Sequence, residues 1–290
     1  MAKRLALLVA AGGAALLAGC GGINGLGLYQ SVPSVSNMRV LDGSPDAGSI
    51  TVSATSAVSN TAVSLTPSGA ITYGKLGSDT YQSVTSGVQQ ITVTANSSTT
   101  PTLTCTTPQL AVTQNYTVVI AGHLSGTPDH LQCQIFYDQT ANTTTSTDQI
   151  VFHNAAPNSG TIQFGTQNTT SGAYNSPIGS ASPAPLTYTN AGYTDNTSSP
   201  SGEPTQNSSF AGGVSFYAAT GVASGATPTA GQIFATTAPS QGIAGASGVV
   251  GSQDPNNILP FPPSYNFSIY LIDGTATTAY TSDVLIGIFD

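Results

Sequence analysis

The sequence predicts an all-β protein, with two β-sandwich domains in tandem behind an N-terminal export signal. Three observations support this prediction. The 290-residue chain contains many short runs rich in β-branched and aromatic residues, bounded by Gly, Pro, Asn and Ser. It has no long segment with the apolar period of a helix. An internal repeat also relates its two halves at a constant spacing.

The first 19 residues predict a lipoprotein signal peptide. Two basic residues, Lys3 and Arg4, precede an apolar run that ends at Ala18. This run is too short to span a bilayer, because a spanning helix needs roughly 20 apolar residues. The sequence LAGC at positions 17–20 is a lipobox, so Cys20 is expected to become an N-terminus that carries diacylglycerol and a fatty acyl chain such as palmitate. Cleavage of an ordinary secretory peptide is the alternative.

Lipidation at Cys20 predicts a protein of the cell envelope that is anchored to a membrane without crossing it. Two or more acyl chains are enough for stable anchoring. Gly21 stands where an Asp would favour retention in an inner membrane, so an outer-membrane location, periplasmic or surface-exposed, is favoured. Residues 20–36 are rich in Gly and predict a lipidated, flexible tether.

The charge of the chain excludes one class of partner. Removal of the signal leaves Arg39 and Lys75 against 12 acidic residues, a formal charge of 2 − 12 = −10. Such a surface repels phosphate backbones, so nucleic-acid binding is not expected. It also gives no attraction to anionic lipid, so the acyl chains alone must hold the membrane.

The internal repeat predicts the domain organisation. Residues 38–52 align with residues 150–164 without a gap, at a constant offset of 112. Matching residues include Val40 with Phe152, Asp42 with Asn154, Pro45 with Pro157, Gly48 with Gly160 and Ile50 with Ile162. Both copies predict a strand, a Pro-containing turn and a second strand.

Two domains follow from this repeat. Residues 37–140 form the first predicted β-sandwich, and residues 149–290 form the second. Residues 141–148 are polar and lack apolar periodicity, which predicts a linker. Because many short strands alternate with turn signals, an immunoglobulin-like sandwich is favoured over a fold that contains helices.

Individual strands are predicted from local pattern. Alternation of apolar and polar residues marks 50–53, 88–94, 214–217 and 265–272, whereas the strongly β-like run 116–121 predicts a buried strand. The second domain also has segments rich in Thr, Ser, Asn, Gly and Pro, within 166–212 and 221–263. We interpret these as long polar loop insertions, within which Gln232–Thr236 can form an extra strand.

The two remaining cysteines predict a disulfide bond. Cys105 and Cys133 form an even pair in an exported chain, where thiols are oxidised. Their bridge would join two strands of one sheet or link two facing sheets. A redox pair or a metal site is the alternative, but the chain has no C-x-x-C motif and no nearby His or Cys at zinc spacing.

Two motifs in the first domain resemble the bacterial family called domain of unknown function 4397. They are VLDGSPDA at positions 40–47 and SVTSGVQQITV at positions 83–93, followed by YTVV at positions 116–119. The resemblance is good over residues 37–138 and weaker over 149–290, where Asn158 replaces the Asp of the turn. It implies exported or lipid-anchored β-sandwich domains, often in tandem, and it implies no activity.

Asp42 and Asp46 belong to the only oxygen-rich pattern that suggests a cation. The spacing Asp42-x-Ser44-x-Asp46-x-Gly48 resembles a calcium loop, but no bidentate carboxylate follows at the expected distance. The favoured interpretation is a turn in which the carboxylates bind backbone amides and Pro45 fixes φ. Neither a metal nor another cofactor is therefore expected.

No catalytic motif is present. His123 and His130 are predicted to share a hairpin with Ser125 and Asp129, and His153 is isolated. A Ser-His-Asp triad is defined by geometry, so a hydrolase assembled only in three dimensions remains a third alternative. The chain has no G-x-S-x-G elbow, no H-E-x-x-H motif and no phosphate-binding loop.

The sequence therefore predicts a non-catalytic lipoprotein of the cell envelope that acts as a structural or interaction module. Its partner would be an envelope protein or a polysaccharide, in addition to the membrane reached through the lipid. The alternative is a ligand-binding module that uses the loops and tyrosines of the second domain. The chain contains 12 Tyr and no Trp, and sugar-binding platforms often use Trp.

Overall fold

The computed structural model describes most of the chain from Ser34 onward. The described residues are 34–96, 98, 100, 102–125, 130–138, 148–157, 159–167, 173–175, 177, 179–181, 189–195, 215–236, 244–245, 266–274 and 284–289. Among them the only helix is a single 3₁₀ turn at Ala230–Gln232, and none could cross a membrane. The prediction of an all-β protein is confirmed.

The strands in the described part of the chain fall into two halves. The first half contains β1 (Val35–Asp42), β2 (Ile50–Ser56), β3 (Ala62–Ser64), β4 (Gln82–Thr85), β5 (Gln89–Ala95), β6 (Leu103–Thr106), β7 (Asn115–Ala121) and β8 (Gln132–Asp138). The second half contains β9 (Asp148–Asn154), β10 (Ile162–Gln167), β11 (Gly179–Ala181), β12 (Thr189–Asp195), β13 (Ser215–Ala219), β14 (Ile233–Thr236), β15 (Ala244–Gly245), β16 (Asn266–Ile272) and β17 (Val284–Phe289).

The two halves have the same strand order. In the first half, sheet 1 has the order β4-β1-β7-β8 and sheet 2 the order β3-β2-β5-β6. In the second half, sheet 3 has the order β12-β9-β16-β17-β15 and sheet 4 the order β11-β10-β13-β14. The central pairs β1–β7 and β9–β16 are both parallel. Among the described strands only β15 lacks a counterpart, so the internal repeat seen in the sequence corresponds to a repeated topology.

Sheets 1 and 2 pack face to face over an apolar core. Sheet 1 contributes one face of β1, β7 and β8, and sheet 2 contributes the inward face of β2 and β5, in which fully buried residues alternate with more exposed ones. The main members of this core are Met38, Val40, Ile50, Val52, Ile91, Val93, Val118, Ile120 and Ile135. Period-two burial of this kind is the signature of a strand with one face in a core.

The opposite face of sheet 1 is also buried, because it packs against sheet 3 of the second half. This second core contains Leu41, Val119, Ala121 and Phe136 from the first half, and Tyr270, Ile272, Ile286 and Ile288 from sheet 3. Since β7 has a core on each side, all its residues after Asn115 are buried. This burial on both faces explains why the run 116–121, predicted to be a buried strand, is apolar at nearly every position.

Sheets 3 and 4 pack through a third apolar contact. Phe152 of β9 stacks on Phe164 of β10 at 4.9 Å between ring centroids, and meets Phe216 of β13 edge-on at 5.7 Å. The four sheets are therefore stacked in the order sheet 2, sheet 1, sheet 3, sheet 4. Sheets 1 and 3 are the inner layers, and each packs against a neighbouring sheet on both sides.

Several element boundaries differ from those predicted. β1 begins at Val35, inside the predicted tether, and β9 begins at Asp148, the last residue of the predicted linker. β11 and β12 lie within the segment 166–212, for which the sequence predicts a polar loop, while β14 corresponds to the extra strand expected at residues 232–236. The signal peptide, Cys20 and residues 141–147 lie outside the described residues.

Candidate functional site

The cysteine pair links the two sheets of the first half. Cys105 of β6 in sheet 2 and Cys133 of β8 in sheet 1 form a disulfide bond, with Cα atoms 6.3 Å apart. Both side chains are partly buried and pack against the apolar core between these sheets. Of the two placements left open by the sequence, the structure shows the link between facing sheets. The bond therefore joins edge strands of two layers.

The Asp42–Gly48 turn places its two carboxylates against backbone amides. The Asp42 Oδ1 atom accepts a hydrogen bond from the Ser44 N–H at 3.0 Å. Asp46 accepts bonds from the Leu124 N–H at 2.6 Å, and from the N–H and Oγ–H of Ser125 at 3.2 and 2.8 Å. Among the residues described, no group of three or more His, Cys, Asp or Glu is placed to hold a metal ion.

The pKa values of the two carboxyl groups are shifted in opposite directions. Burial raises the pKa of Asp42 to about 7, and its Oδ2 atom has no hydrogen-bond partner. Burial also acts to raise the pKa of Asp46, but the hydrogen bonds from Leu124 and Ser125 outweigh it, so that the pKa is lowered. The fold therefore favours the ionised form of Asp46 and the protonated form of Asp42.

The second half repeats this turn with a neutral side chain. Asn154, the counterpart of Asp42, accepts from the Ala156 N–H through Oδ1 at 3.2 Å, as Asp42 does from Ser44. Its Nδ2 group donates to the Gly160 carbonyl at 2.8 Å. Gly160 and its counterpart Gly48 both have positive φ values, of 69° and 74°. The turn is therefore built in the same way in both halves, with an ionisable group in only one of them.

The predicted histidine hairpin exists in part. His123 and His130 form an isolated parallel bridge, and Asp129 lies outside the described residues. The Nε2 atom of His123 lies 3.1 Å from the Gly274 carbonyl oxygen, and the hydroxyl of Ser125 donates to Asp46. Both contacts join segments that are far apart in sequence, so these side chains connect loops.

A buried polar cluster between sheets 1 and 3 was not identified from the sequence. At its centre is Asp138, at the end of β8, with no exposed surface. Its Oδ2 atom accepts from Tyr81 at 2.8 Å and from Thr117 at 2.6 Å, and its Oδ1 atom accepts from Tyr270 of the second half at 2.8 Å. The Arg39 guanidinium lies 3.6 Å from Oδ2.

Arg39 brings a permanent positive charge into the buried layers. Its side chain is 2% exposed, donates from Nε to Thr117 at 2.9 Å, and lies 4.5 Å over the ring of Tyr81. This geometry combines an ion pair with a cation–π contact. The one available sequence signal was the arginine that lies between the apolar residues Met38 and Val40 in a predicted strand, since a buried charge requires a partner.

His153 continues the cluster into sheet 3. Its ring stacks on Tyr270 at 4.6 Å and lies 4.9 Å from Phe136, with Nε2 3.3 Å from the Ser268 hydroxyl. The Nδ1 atom has no partner. Burial lowers the pKa of His153 to about 4, with the nearby Asp138 acting against the shift and Arg39 reinforcing it. The imidazole is therefore neutral near pH 7.

The cluster is suited to joining layers and not to turning over a substrate. Arg39, Asp138 and His153 are each at most 2% exposed. Asp138 already accepts from three hydroxyl groups, two of them from the first half and one from the second. A general acid or base must reach a substrate proton. These groups instead contact neighbouring side chains of the protein within a buried interface.

Comparison with known protein families finds a match in the first half of the chain. The family described as "Domain of unknown function (DUF4397)" matches residues 36–165. This confirms the resemblance indicated by the motifs, and the matched segment runs from β1 through the first half and into β10 of the second. A search of curated proteins found no match.

Proposed function

We propose that this chain is a non-catalytic, lipid-anchored protein of the cell envelope that acts as a structural or interaction module. The observation that supports this most directly is the polar cluster of Arg39, Asp138 and His153. These are among the side chains best suited to chemistry, and they are used to join sheet 1 to sheet 3. A protein built in this way presents a surface to partners and keeps its reactive groups inside.

The proposed architecture is two immunoglobulin-like β-sandwiches in tandem. Its support is the matched strand order of the two halves, with β1–β7 and β9–β16 as parallel central pairs. Face-to-face packing of two mostly antiparallel sheets is the arrangement of such sandwiches. The disulfide bond between facing sheets in the first half agrees with this architecture.

The anchor is tested by replacing Cys20. We expect Cys20→Ala to leave the protein unprocessed or release it from membranes, and mass spectrometry of the wild-type chain to find acyl groups on Cys20. Cys105→Ser is the matched control, because it also removes a cysteine but leaves the lipobox intact. A wild-type mature N-terminus without lipid would contradict the anchor.

The interaction role is tested in intact cells. We expect photo-cross-linkers placed on exposed strands to capture a discrete envelope partner, while an active-site serine probe labels nothing. Labelling by that probe would contradict the non-catalytic proposal. The ligand-binding alternative depends on loops of which a large part lies outside the described residues. None of the tyrosines whose side chains are described is exposed, so binding on a glycan array would have to involve other residues.

A further inference from the structure

One end of the first half combines four loops and chain segments. They are residues 35–36, 56–61, 85–88 and 106–114, which we call the valine end. β1 and β7 begin at this end, and β2, β4 and β6 finish at it. The segments contact one another, because Val35 pairs with Thr85 and the Thr113 N–H donates to the Val35 carbonyl at 2.7 Å. The Ser59 and Thr85 hydroxyls lie 3.5 Å apart. The segments thus form one continuous surface.

The valine end exposes apolar side chains. Val58 is 81% exposed, Val112 is 49% exposed and Val35 is 37% exposed. They account for three of the four exposed large hydrophobic residues in the part of the chain that the structure describes. The fourth, Leu124, follows the end of β7 and therefore lies at the opposite end of the strands. Scattered exposed apolar residues are ordinary, but a group on adjoining loops points to an interaction.

Tight turns hold two of these valines outward. Asn60, in the β2–β3 turn with Val58, has φ of 54°, and Thr113, next to Val112, has φ of 61°. A positive φ is unusual for a β-branched residue such as Thr. The turn at Val58 is closed by the hydrogen bond from the Asn60 N–H to the Ser56 carbonyl at 2.9 Å, and the turn at Val112 is tied to the start of β1 by the bond from the Thr113 N–H to the Val35 carbonyl. The apolar tips are therefore fixed by the backbone.

The valine end carries no formal charge. None of the 12 acidic and 4 basic residues of the chain falls within its four segments. The chain that remains after signal removal has a formal charge of 2 − 12 = −10, and none of that charge falls within these segments. A surface without charge can approach lipid headgroups without the repulsion that an acidic surface meets at an anionic membrane.

The first strand of the sheets starts at this same end. Val35, the first residue of β1, is joined to Cys20 by a short Gly-rich segment. A flexible coil of that length has a root-mean-square reach of roughly 20 Å. Tethering at such a distance gives a high effective concentration, so even a weak surface contact becomes populated.

From these observations we propose that the valine end docks on the surface of the bilayer that holds the Cys20 acyl chains, with Val58 and Val112 in the interfacial region. This inference rests on the proposed lipid anchor. It adds an orientation to that anchor, because the first half would meet the membrane end-on and present the opposite end, which includes Leu124, to the periplasm or the exterior.

The test uses a single tryptophan, because the chain contains none. The lipidated full chain carrying Val58→Trp is reconstituted in phosphatidylcholine vesicles, some of them with brominated acyl chains. We expect blue-shifted emission and quenching by the brominated lipid. Leu124→Trp is the matched control, since it replaces an exposed apolar residue at the far end, and its emission should be neither shifted nor quenched. Adding Val112→Asp to Val58→Trp should weaken the quenching.

The outcomes separate this inference from the anchor. The reference is the lipid-free protein that carries both Val58→Trp and Cys20→Ala. If the lipidated Val58→Trp protein stays on the vesicles but its tryptophan emission equals that of this reference, the docking surface is refuted and the anchor stands. If the protein fails to associate with vesicles at all, the anchor is refuted, and the docking surface with it. A blue shift without lipid that grows with protein concentration would show that a second copy covers the valines, which also overturns the proposal.

Discussion

Replacing Asp42 by asparagine is expected to stabilise the protein at alkaline pH and to have little effect in acid. The Asp42 side chain is fully buried, and its Oδ2 atom has no partner. At the equivalent place in the second half, Asn154 makes the same bond through Oδ1 and also donates to the Gly160 carbonyl. An asparagine at position 42 would likewise offer an Nδ2 donor and would carry no charge.

The magnitude follows from the pKa of Asp42. Burial raises it from 3.8 to about 7, so the folded protein binds this proton more tightly than the unfolded chain. Stability is therefore unimpaired below pH 3.8, declines as the pH rises, and reaches its full loss above about pH 7. Each pKa unit corresponds to about 1.4 kcal/mol, which gives a loss of about 4 kcal/mol at alkaline pH. Asp42→Asn removes this loss.

The measurement is urea unfolding of the Cys20→Ala protein, with and without Asp42→Asn, at about pH 4, 6 and 8, values that bracket the titration. We expect the difference in the free energy of unfolding to grow steadily with pH. Asp46→Asn is the matched control with the opposite sign, because hydrogen bonds lower the pKa of Asp46 and its charge is favoured in the fold. Asp46→Asn should therefore lower the free energy of unfolding more at about pH 8 than at about pH 4. An Asp42→Asn effect that does not change with pH would refute the reasoning.

Three further predictions concern the buried connections. Replacing both Cys105 and Cys133 by Ser should reduce the free energy of unfolding by about 3.5 kcal/mol in the loop-entropy account, and an unchanged melting temperature would contradict a stabilising bond. Arg39→Met should cost about 3–5 kcal/mol because it leaves Asp138 buried without its cation. In a double-mutant cycle with Asp138→Asn, the cost of Arg39→Met should be smaller when position 138 is already neutral; full additivity would contradict the pairing. Burial lowers the pKa of His153 from 6.5 to about 4, so the wild-type protein should lose about 3 kcal/mol of its free energy of unfolding as the pH falls through this range. His153→Leu should remove this loss. Equal acid sensitivity of both proteins in urea unfolding would count against this.

The sequence predicts the strands well where one face meets a core. β2 and β5 alternate in burial, and the turn that begins at Asp42 is marked by its Asp, Pro and Gly residues. The buried strand β7 was also predictable, because a β-branched and aromatic run that is mostly apolar and does not alternate indicates cover on both faces. These features depend on neighbours close in sequence or on one simple period.

The contact between sheets 1 and 3 could not be predicted in the same way. Arg39, Thr117, Gln134 and Asp138 are polar residues on strands of sheet 1, and polar side chains in such positions usually face solvent. Asp138 is buried because a second sheet, separated by many residues, supplies Tyr270 as a partner. β11 and β12 were missed for a different reason, since their Gly, Ser, Asn and Thr content is typical of loops.

Because sheets 1 and 3 share a buried core, we expect the pair of repeats, and not the single repeat, to fold as one cooperative unit. A chain truncated after residue 140 would open Leu41, Val119 and Phe136 to water and would leave Asp138 without the Tyr270 hydroxyl. Excision of either copy should therefore yield aggregation or self-association where a free-standing domain would remain monomeric.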